Sequence, residues 1–225
     1  MKLELSSLPA ARRRGGRPSA EQAGEVDQRI LDAATTLFLR SGFDATSCDQ
    51  VLALAGAGKA TLYARYANKE ALFSAVVRRM VEKAGAPQPV TEWRRPARER
   101  LRIAGMRILR HALEAERVAL MRVCLATVQR LPELSQLVDR MGRESAMACI
   151  VHSLTGPTPA SSDVERAKAI AAQFIEMVVV PQQMRALVGD STEQLDAGAL
   201  ARISNAVELL AGAGLLDGFE LGPES

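Results

Sequence analysis

Residues 46–72 read TSCDQVLALAGAGKATLYARYANKEAL, the pattern of two short helices joined by a glycine turn and followed by the start of a third. Thr46 and Asp49 fit a capping box that opens the first helix. Val51, Leu54 and Ala55 continue it as a one-sided apolar stripe. Gly56 and Gly58 interrupt the stripe where a tight turn needs a left-handed backbone. On the second helix Leu62 and Tyr66, four apart, face inward, which leaves Ala60, Thr61, Tyr63, Ala64 and Arg65 over the remaining surface. Asn68 is a good N-cap for a helix continuing through Leu72, Phe73, Val76 and Met80. Such a pair of helices is a helix-turn-helix, a unit whose second helix enters the DNA major groove. Double-stranded DNA is therefore the first expected partner.

With the residues upstream, the stretch resembles the DNA-binding domain of TetR-type bacterial transcriptional regulators. The matching features are Gly42-Phe43, Thr46, Ala55-Gly56, Thr61-Leu62-Tyr63, Tyr66, Lys69-Glu70 and Leu72, preceded by Ile30-Leu31-Asp32-Ala33-Ala34 and Leu37-Phe38 as the first helix. The match covers roughly residues 17–80. Some positions depart from the family pattern. Ala57 stands where a small β-branched residue is usual, Gly58 where serine is, Ala60 where glycine is common, Leu52 where alanine is, and Arg65 where histidine or an aromatic is. Gly58 can occupy an N-cap but offers no side-chain acceptor, so the turn is expected to be softer than in the family.

The resemblance implies an all-α fold. A disordered basic arm over 1–18 precedes a helix-turn-helix domain over 19–85, and a helical effector-binding and dimerisation domain over 86–225 follows. Lys59 is placed to donate to guanine, and the methyl of Ala60 or Thr61 to touch thymine. Tyr63, Arg65, Lys69 and the Thr46–Ser47 helix start are placed to bind phosphates. The arm reads Arg12-Arg13-Arg14-Gly15-Gly16-Arg17-Pro18. Arg17, just ahead of the first helix, is the residue expected in a minor groove, where negative potential attracts arginine; the plainer alternative is a basic tail with only nonspecific attraction.

Charge distribution agrees. Lys and Arg number 13 against 9 Asp and Glu over residues 1–90, 12 against 7 over 91–162, and 4 against 10 over 163–225. A basic front and an acidic end suit a chain that touches phosphate at one end. Arg94, Arg95, Arg98, Arg100 and Arg102 read as a solvated helix face.

Other functions find little support. Gly56-Ala57-Gly58-Lys59 mimics part of a phosphate-binding loop, but Ala53 and Ala60 stand where that loop needs glycine and Ser or Thr, and no strand precedes them. His111 and His152 are the only histidines, and neither has a nucleophile or metal partner nearby in sequence, so no enzyme, metal or cofactor is expected. Cys48, Cys124 and Cys149 are widely spaced and odd in number, which suits packed thiols; redox sensing stays open for the last two. No apolar run approaches the ~20 residues of a membrane span, and no signal-peptide core opens the chain, so a cytoplasmic location is expected. The competing reading is a helical protein–protein adaptor without sequence-specific DNA binding.

Beyond residue 85 the pattern is helical. Residues 85–89 are a break. Leu101, Met106, Leu109 and Leu113 form one stripe, and Leu120, Val123, Cys124, Thr127 and Val128 another. Further helices are expected over 133–154, 163–188 and 196–211, with Gly156-Pro157-Thr158-Pro159 as a loop. The last two carry Ile170, Phe174, Met177, Val178 and Pro181, then Leu200, Ile203, Val207 and Leu210. In TetR-type proteins the last two helices of each subunit form a four-helix dimer interface. Ile170, Phe174, Met177, Val178, Ile203, Val207 and Leu210 are accordingly its expected residues, with closure of the protomer's own core as the alternative. The resemblance also implies a small-molecule effector of unknown identity, with Met106, Leu109, Met121, Leu125 and Met147 as candidate lining, and repression as the sign of control. Stretch 117–137, with Leu131-Pro132-Glu133-Leu134, resembles one C-terminal domain subtype of the family.

Overall fold

A computed structural model of the protein describes residues 20–219. Arg17 and the basic arm lie outside the described residues.

The first helix, α1 (Ala20–Ala45), buries Ile30, Ala33, Ala34, Leu37 and Phe38 on one stripe. Gly42, at φ 83°, breaks its last turn, a conformation glycine reaches without a Cβ penalty. The break folds Phe43 under the helix. There Phe38, Phe43 and Phe73 meet with centroids 5.0 to 5.9 Å apart. Phe73 comes from α4 (Lys69–Lys83), whose N-cap Asn68 accepts from the Ala71 amide at 2.8 Å, as its sequence indicates. Between them lie α2 (Cys48–Ala55) and α3 (Lys59–Tyr63), held to the same core by Val51, Leu52, Ala55 and Leu62.

The body is built from α5 (Ala97–Ala112), α6 (Ala115–Ala126), α7 (Pro132–Thr155), α8 (Ser161–Phe174), α9 (Val180–Val188), α10 (Thr192–Ala197) and α11 (Ala199–Gly212). No strand occurs among the described residues, as the all-α reading requires. A π-helical turn, Ile175–Val179, joins α8 to α9 where sequence suggests one unbroken helix. Pro181 has no amide to return to the preceding turn. Just before it, the Val180 amide reaches back to the Ile175 carbonyl.

Helix α6 belongs to two cores. Val118 packs into the body, while Leu120, Val123 and Cys124 pack with α1 and α4 in the head. Arg122 of α6 donates from Nε to the Leu187 carbonyl at 3.2 Å and from Nη2 to that of Ala186, both at the end of α9. Arg130, just beyond α6, holds Asp44 at 2.7 Å and lies over the Phe43 ring.

Arg100 overturns part of the solvated-face reading. It is fully buried. Its Nε donates to the Arg95 carbonyl at 3.0 Å, and its Nη1 to the carbonyls of Ser153 at 2.7 Å and Leu154 at 2.8 Å. Nη2 donates to the Phe219 carbonyl. The Ser153 and Leu154 carbonyls lie in the last turn of α7, where intrahelical donors run out, and a cation there is favoured by the helix dipole. Arg98 and Arg102 bind Glu208 of α11, while Arg94 and Arg95 remain exposed.

Six of the expected dimer residues also require correction. Ile170, Phe174, Val178, Ile203, Val207 and Leu210 are 0 to 3 % exposed in a single protomer, so these apolar stripes close its own core. Only Met177 of that set is exposed. A periodic stripe reports burial without saying which partner supplies it.

Gly105 of α5 marks a close helix approach. A Cβ there would lie 2.6 Å from Cζ of Phe174 and 3.3 Å from Cγ2 of Ile203. Helix propensity alone favours alanine over glycine by about 1 kcal/mol. Against a fully buried ring the overpacking cost of about 1–3 kcal/mol wins. Gly105→Ala should therefore lower the urea midpoint, whereas Gly142→Ala, at an exposed α7 position with nothing within 4 Å, should raise it. Two shifts of the same sign would contradict this packing.

Candidate nucleic-acid interface

The capping box lies one residue later than its sequence suggests. Ser47 is the N-cap of α2: its Oγ accepts from the Gln50 amide at 3.2 Å, and Gln50 Oε1 accepts from the Ser47 amide at 2.8 Å. Thr46 is buried instead. Its Oγ1 faces the carbonyls of Gly42 at 2.8 Å and Leu37 at 3.2 Å, tying the head of α2 to the end of α1. The hydroxyl of Thr46 is therefore spent on backbone carbonyls, although the residue lines the recess described below. The first-turn amides of α2 retain the anion affinity of a helix start.

At the other end of α2, Gly56 takes the left-handed conformation at φ 61°, and the Ala57 amide returns to the Leu52 carbonyl at 3.1 Å, a Schellman-type closure. Gly58 caps α3 with extended backbone and no side-chain bond, as the departure from serine implies. The turn therefore lacks one cap but keeps its backbone closure.

On the outer side, Lys59, Ala60 and Tyr63 are exposed and Thr61 is half-buried. A recess of about 380 Å³ runs between α2 and α3, with Ser47, Cys48, Asp49, Lys59, Tyr63 and Lys69 among its lining. Lys59 Nζ donates to Asp49 Oδ2 at 3.2 Å and lies 2.9 Å from Oδ1; the hydrogen bond, then the Asp49 charge, raises the Lys59 pKa above its usual value.

Among the described residues, the remaining predicted cations are already engaged. Lys69 Nζ donates to the carbonyls of Phe43 at 3.0 Å and Thr46 at 3.1 Å, and sits 4.3 Å from the Phe43 ring centroid. Arg65 Nη1 lies 2.9 Å from Asp27 Oδ1 of α1, which also accepts from the Tyr66 hydroxyl at 2.9 Å. Burial, helped by Asp27, pushes the Tyr66 phenol up to about 12, so it remains a donor at neutral pH. The structure thus gathers Thr46, Ser47, Lys59, Tyr63 and Lys69 around one recess, leaves Ala60 exposed and Thr61 half-buried on α3, and uses Thr46, Arg65 and Lys69 also to brace the head. Sequence reasoning does not single out Asp27 and Gln50, and it gives Asp49 a capping role instead of pairing it with Lys59. For Gln50 a signal existed, since Ser47 and Gln50 have capping-box spacing; the acids were hidden by their distance from their partners.

Elsewhere, Cys124 and Cys149 offer no thiolate. Burial pushes Cys124 up to about 12 and Cys149 up to about 11, which argues against the redox-sensing alternative. Groups of three or more metal-ligating side chains are absent among the described residues, as is any helix long and apolar enough to cross a membrane.

Residues 30–76 match the model of bacterial regulatory proteins of the tetR family. Residues 99–213, more than half the chain, match that of the AefR-like transcriptional repressor C-terminal domain. The chain belongs to the TetR family. This TetR-family regulator is 43% identical over 56 residues to the HTH-type transcriptional repressor ComR of Escherichia coli (strain K12), covering 25% of this chain and 27% of that protein. It is 47% identical over 47 residues to the HTH-type transcriptional regulator YhgD of Bacillus subtilis (strain 168), covering 21% and 25%. The chain thus spans about a quarter of the length of the curated relatives it matches. Among known structures it resembles the flavonoid-responsive regulator FrrA, with a TM-score of 0.62 and 27% identity over 84% of this chain and 97% of that one. A TetR-family regulator from Mesorhizobium loti MAFF303099 shares the fold, with a TM-score of 0.65 and 20% identity over 84% and 98%. The family is one of helix-turn-helix transcriptional regulators.

Proposed function

We propose that this chain is a ligand-responsive repressor that binds a pseudo-palindromic operator as a homodimer. The observation that carries the reading is the exposed face of Lys59, Ala60 and Tyr63 beside the recess at the start of α2. That face combines a donor able to read a base edge, a methyl group and a helix start able to take a phosphate. A two-fold dimer would present two such faces to successive grooves.

Surface chemistry supports a dimer through other residues of the same helices. Met177, Pro181, Met184 and Val188 form an outward stripe at helical spacing along the π turn and α9, and Leu200 and Leu209 are exposed on α11. Exposed apolar side chains aligned at helical spacing, as along α9, are a mark of a protein interface.

For the effector, a recess of about 460 Å³ lies between α7 and α8, lined by Arg143, Met147, Ala172, Ile175, Glu176 and Met177. Its size suits a small molecule, and methionine lining adapts to varied shapes. Of the residues expected in sequence only Met147 lines it; Leu109 is in the core and Leu125 is exposed on α6. FrrA is flavonoid-responsive, which makes planar aromatic compounds the first class to try. Helix α6, shared by both cores, is the proposed route from the body to the head.

The test is selection of bound duplexes from a random pool. A two-fold symmetric consensus is expected, and Lys59→Ala should relax preference at one position in each half-site by about tenfold. Failure to enrich any sequence would favour the adaptor reading. An unaltered consensus in the variant would reject readout by Lys59.

A further inference from the structure

One carboxylate stands where a DNA-reading face should repel acid. Asp49 occupies the first turn of α2, and Lys59 opens α3. Their side chains are 68% and 69% exposed, yet the ammonium is 2.9 Å from Oδ1 and 3.2 Å from Oδ2. A pair so open to water adds little to fold stability. The other carboxylate of the recess, Asp44, is held by Arg130. Lys69, the recess's second ammonium, is occupied by the carbonyls of Phe43 and Thr46. Asp49 therefore acts on the one cation of the recess that is free of backbone partners among the described residues.

We propose that Asp49 is a specificity determinant, holding Lys59 away from phosphates and aiming it at a base edge. The inference rests on the operator reading given above. Nonspecific binding draws its affinity from Lys and Arg on phosphates. With one donor on Asp49, the ammonium has two left, which suit the O6 and N7 acceptors of guanine. Sliding onto the backbone would instead pull Lys59 off its partner and bring a carboxylate against phosphate. That arrangement penalises the wrong complex more than the right one, which is how specificity is gained by repulsion.

The test compares the unsubstituted full chain, Asp49→Asn and Asp49→Glu on two probes: the duplex selected from the random pool and a random-sequence duplex. Asp49→Asn should raise affinity for the random duplex about tenfold and steepen its salt dependence by about one phosphate contact. Affinity for the selected duplex should change less, so the specificity ratio falls, and the consensus should broaden at the position read by Lys59. Asp49→Glu should restore the ratio. In a Lys59→Ala background, Asp49→Asn should have no such effect. An unchanged ratio and salt slope for Asp49→Asn would overturn the proposal. So would an effect of equal size without Lys59, which would make Asp49 a bare repulsive charge. If the unsubstituted chain selects no sequence, the operator reading fails; if it selects one and Asp49→Asn matches it, only the role of Asp49 fails.

Discussion

Arg100→Met should lower the free energy of unfolding by about 3–5 kcal/mol. Methionine fills most of the volume but donates nothing. The carbonyls of Arg95, Ser153, Leu154 and Phe219 would lose their shared donor in a site closed to water. Each buried acceptor left unsatisfied costs about 1–3 kcal/mol, and relief from burying a cation offsets only part of the total. For a chain of this size the melting temperature should fall by roughly 10 °C. Arg98→Met, on the same helix but half-exposed and paired with Glu208, should change stability by less than about 1 kcal/mol. Urea unfolding followed by circular dichroism compares the two. Equal midpoints would mean that the buried guanidinium contributes no more than a surface charge.

Lys69→Met should weaken binding to every duplex by about tenfold while leaving base preference unaltered. Its ammonium joins the start of α4 to the Gly42 corner through the carbonyls of Phe43 and Thr46. Those bonds place the start of α2, whose amides are offered to phosphate. Because hydrogen bonds from a charged donor contribute about 1.5–3 kcal/mol, a loss of about 2 kcal/mol in stability should accompany the loss of affinity. Fluorescence anisotropy on selected and random duplexes, with a thermal melt of the same variant, checks both. A changed consensus would assign Lys69 to base readout. An unchanged melt would show that the two carbonyl bonds do not hold the corner.

The head was legible because its signals are local. Gly42, Gly56 and Asn68 each act on the next few residues, and Leu62 announces its burial by spacing alone. The capping box slipped by one residue because Thr46 and Ser47 are adjacent and each has a candidate partner three residues on. The tie is broken by the Gly42 turn, which draws the Thr46 hydroxyl beneath α1. The body was less legible for the same reason of range. The carbonyl partners of Arg100 on α7 and at Phe219 lie 53 to 119 residues away in sequence, so an arginine run looked like a wet surface. Gly105 carries no turn signal at all; only Phe174 and Ile203 arriving from other helices reveal why a side chain is excluded. The apolar stripes of α8 and α11 were seen, but a stripe facing inward and one facing a second subunit have the same period.

Helix α6 also makes the two halves poor candidates for separate lives. Leu120, Val123 and Cys124 finish the apolar interior of the head, although they come some 35 to 40 residues after the break that follows α4. A fragment ending at that break would keep every residue of the helix-turn-helix and still leave the underside of α1 open to water. Shuffling reading heads among relatives therefore means carrying α6 along, or rebuilding the surface it covers.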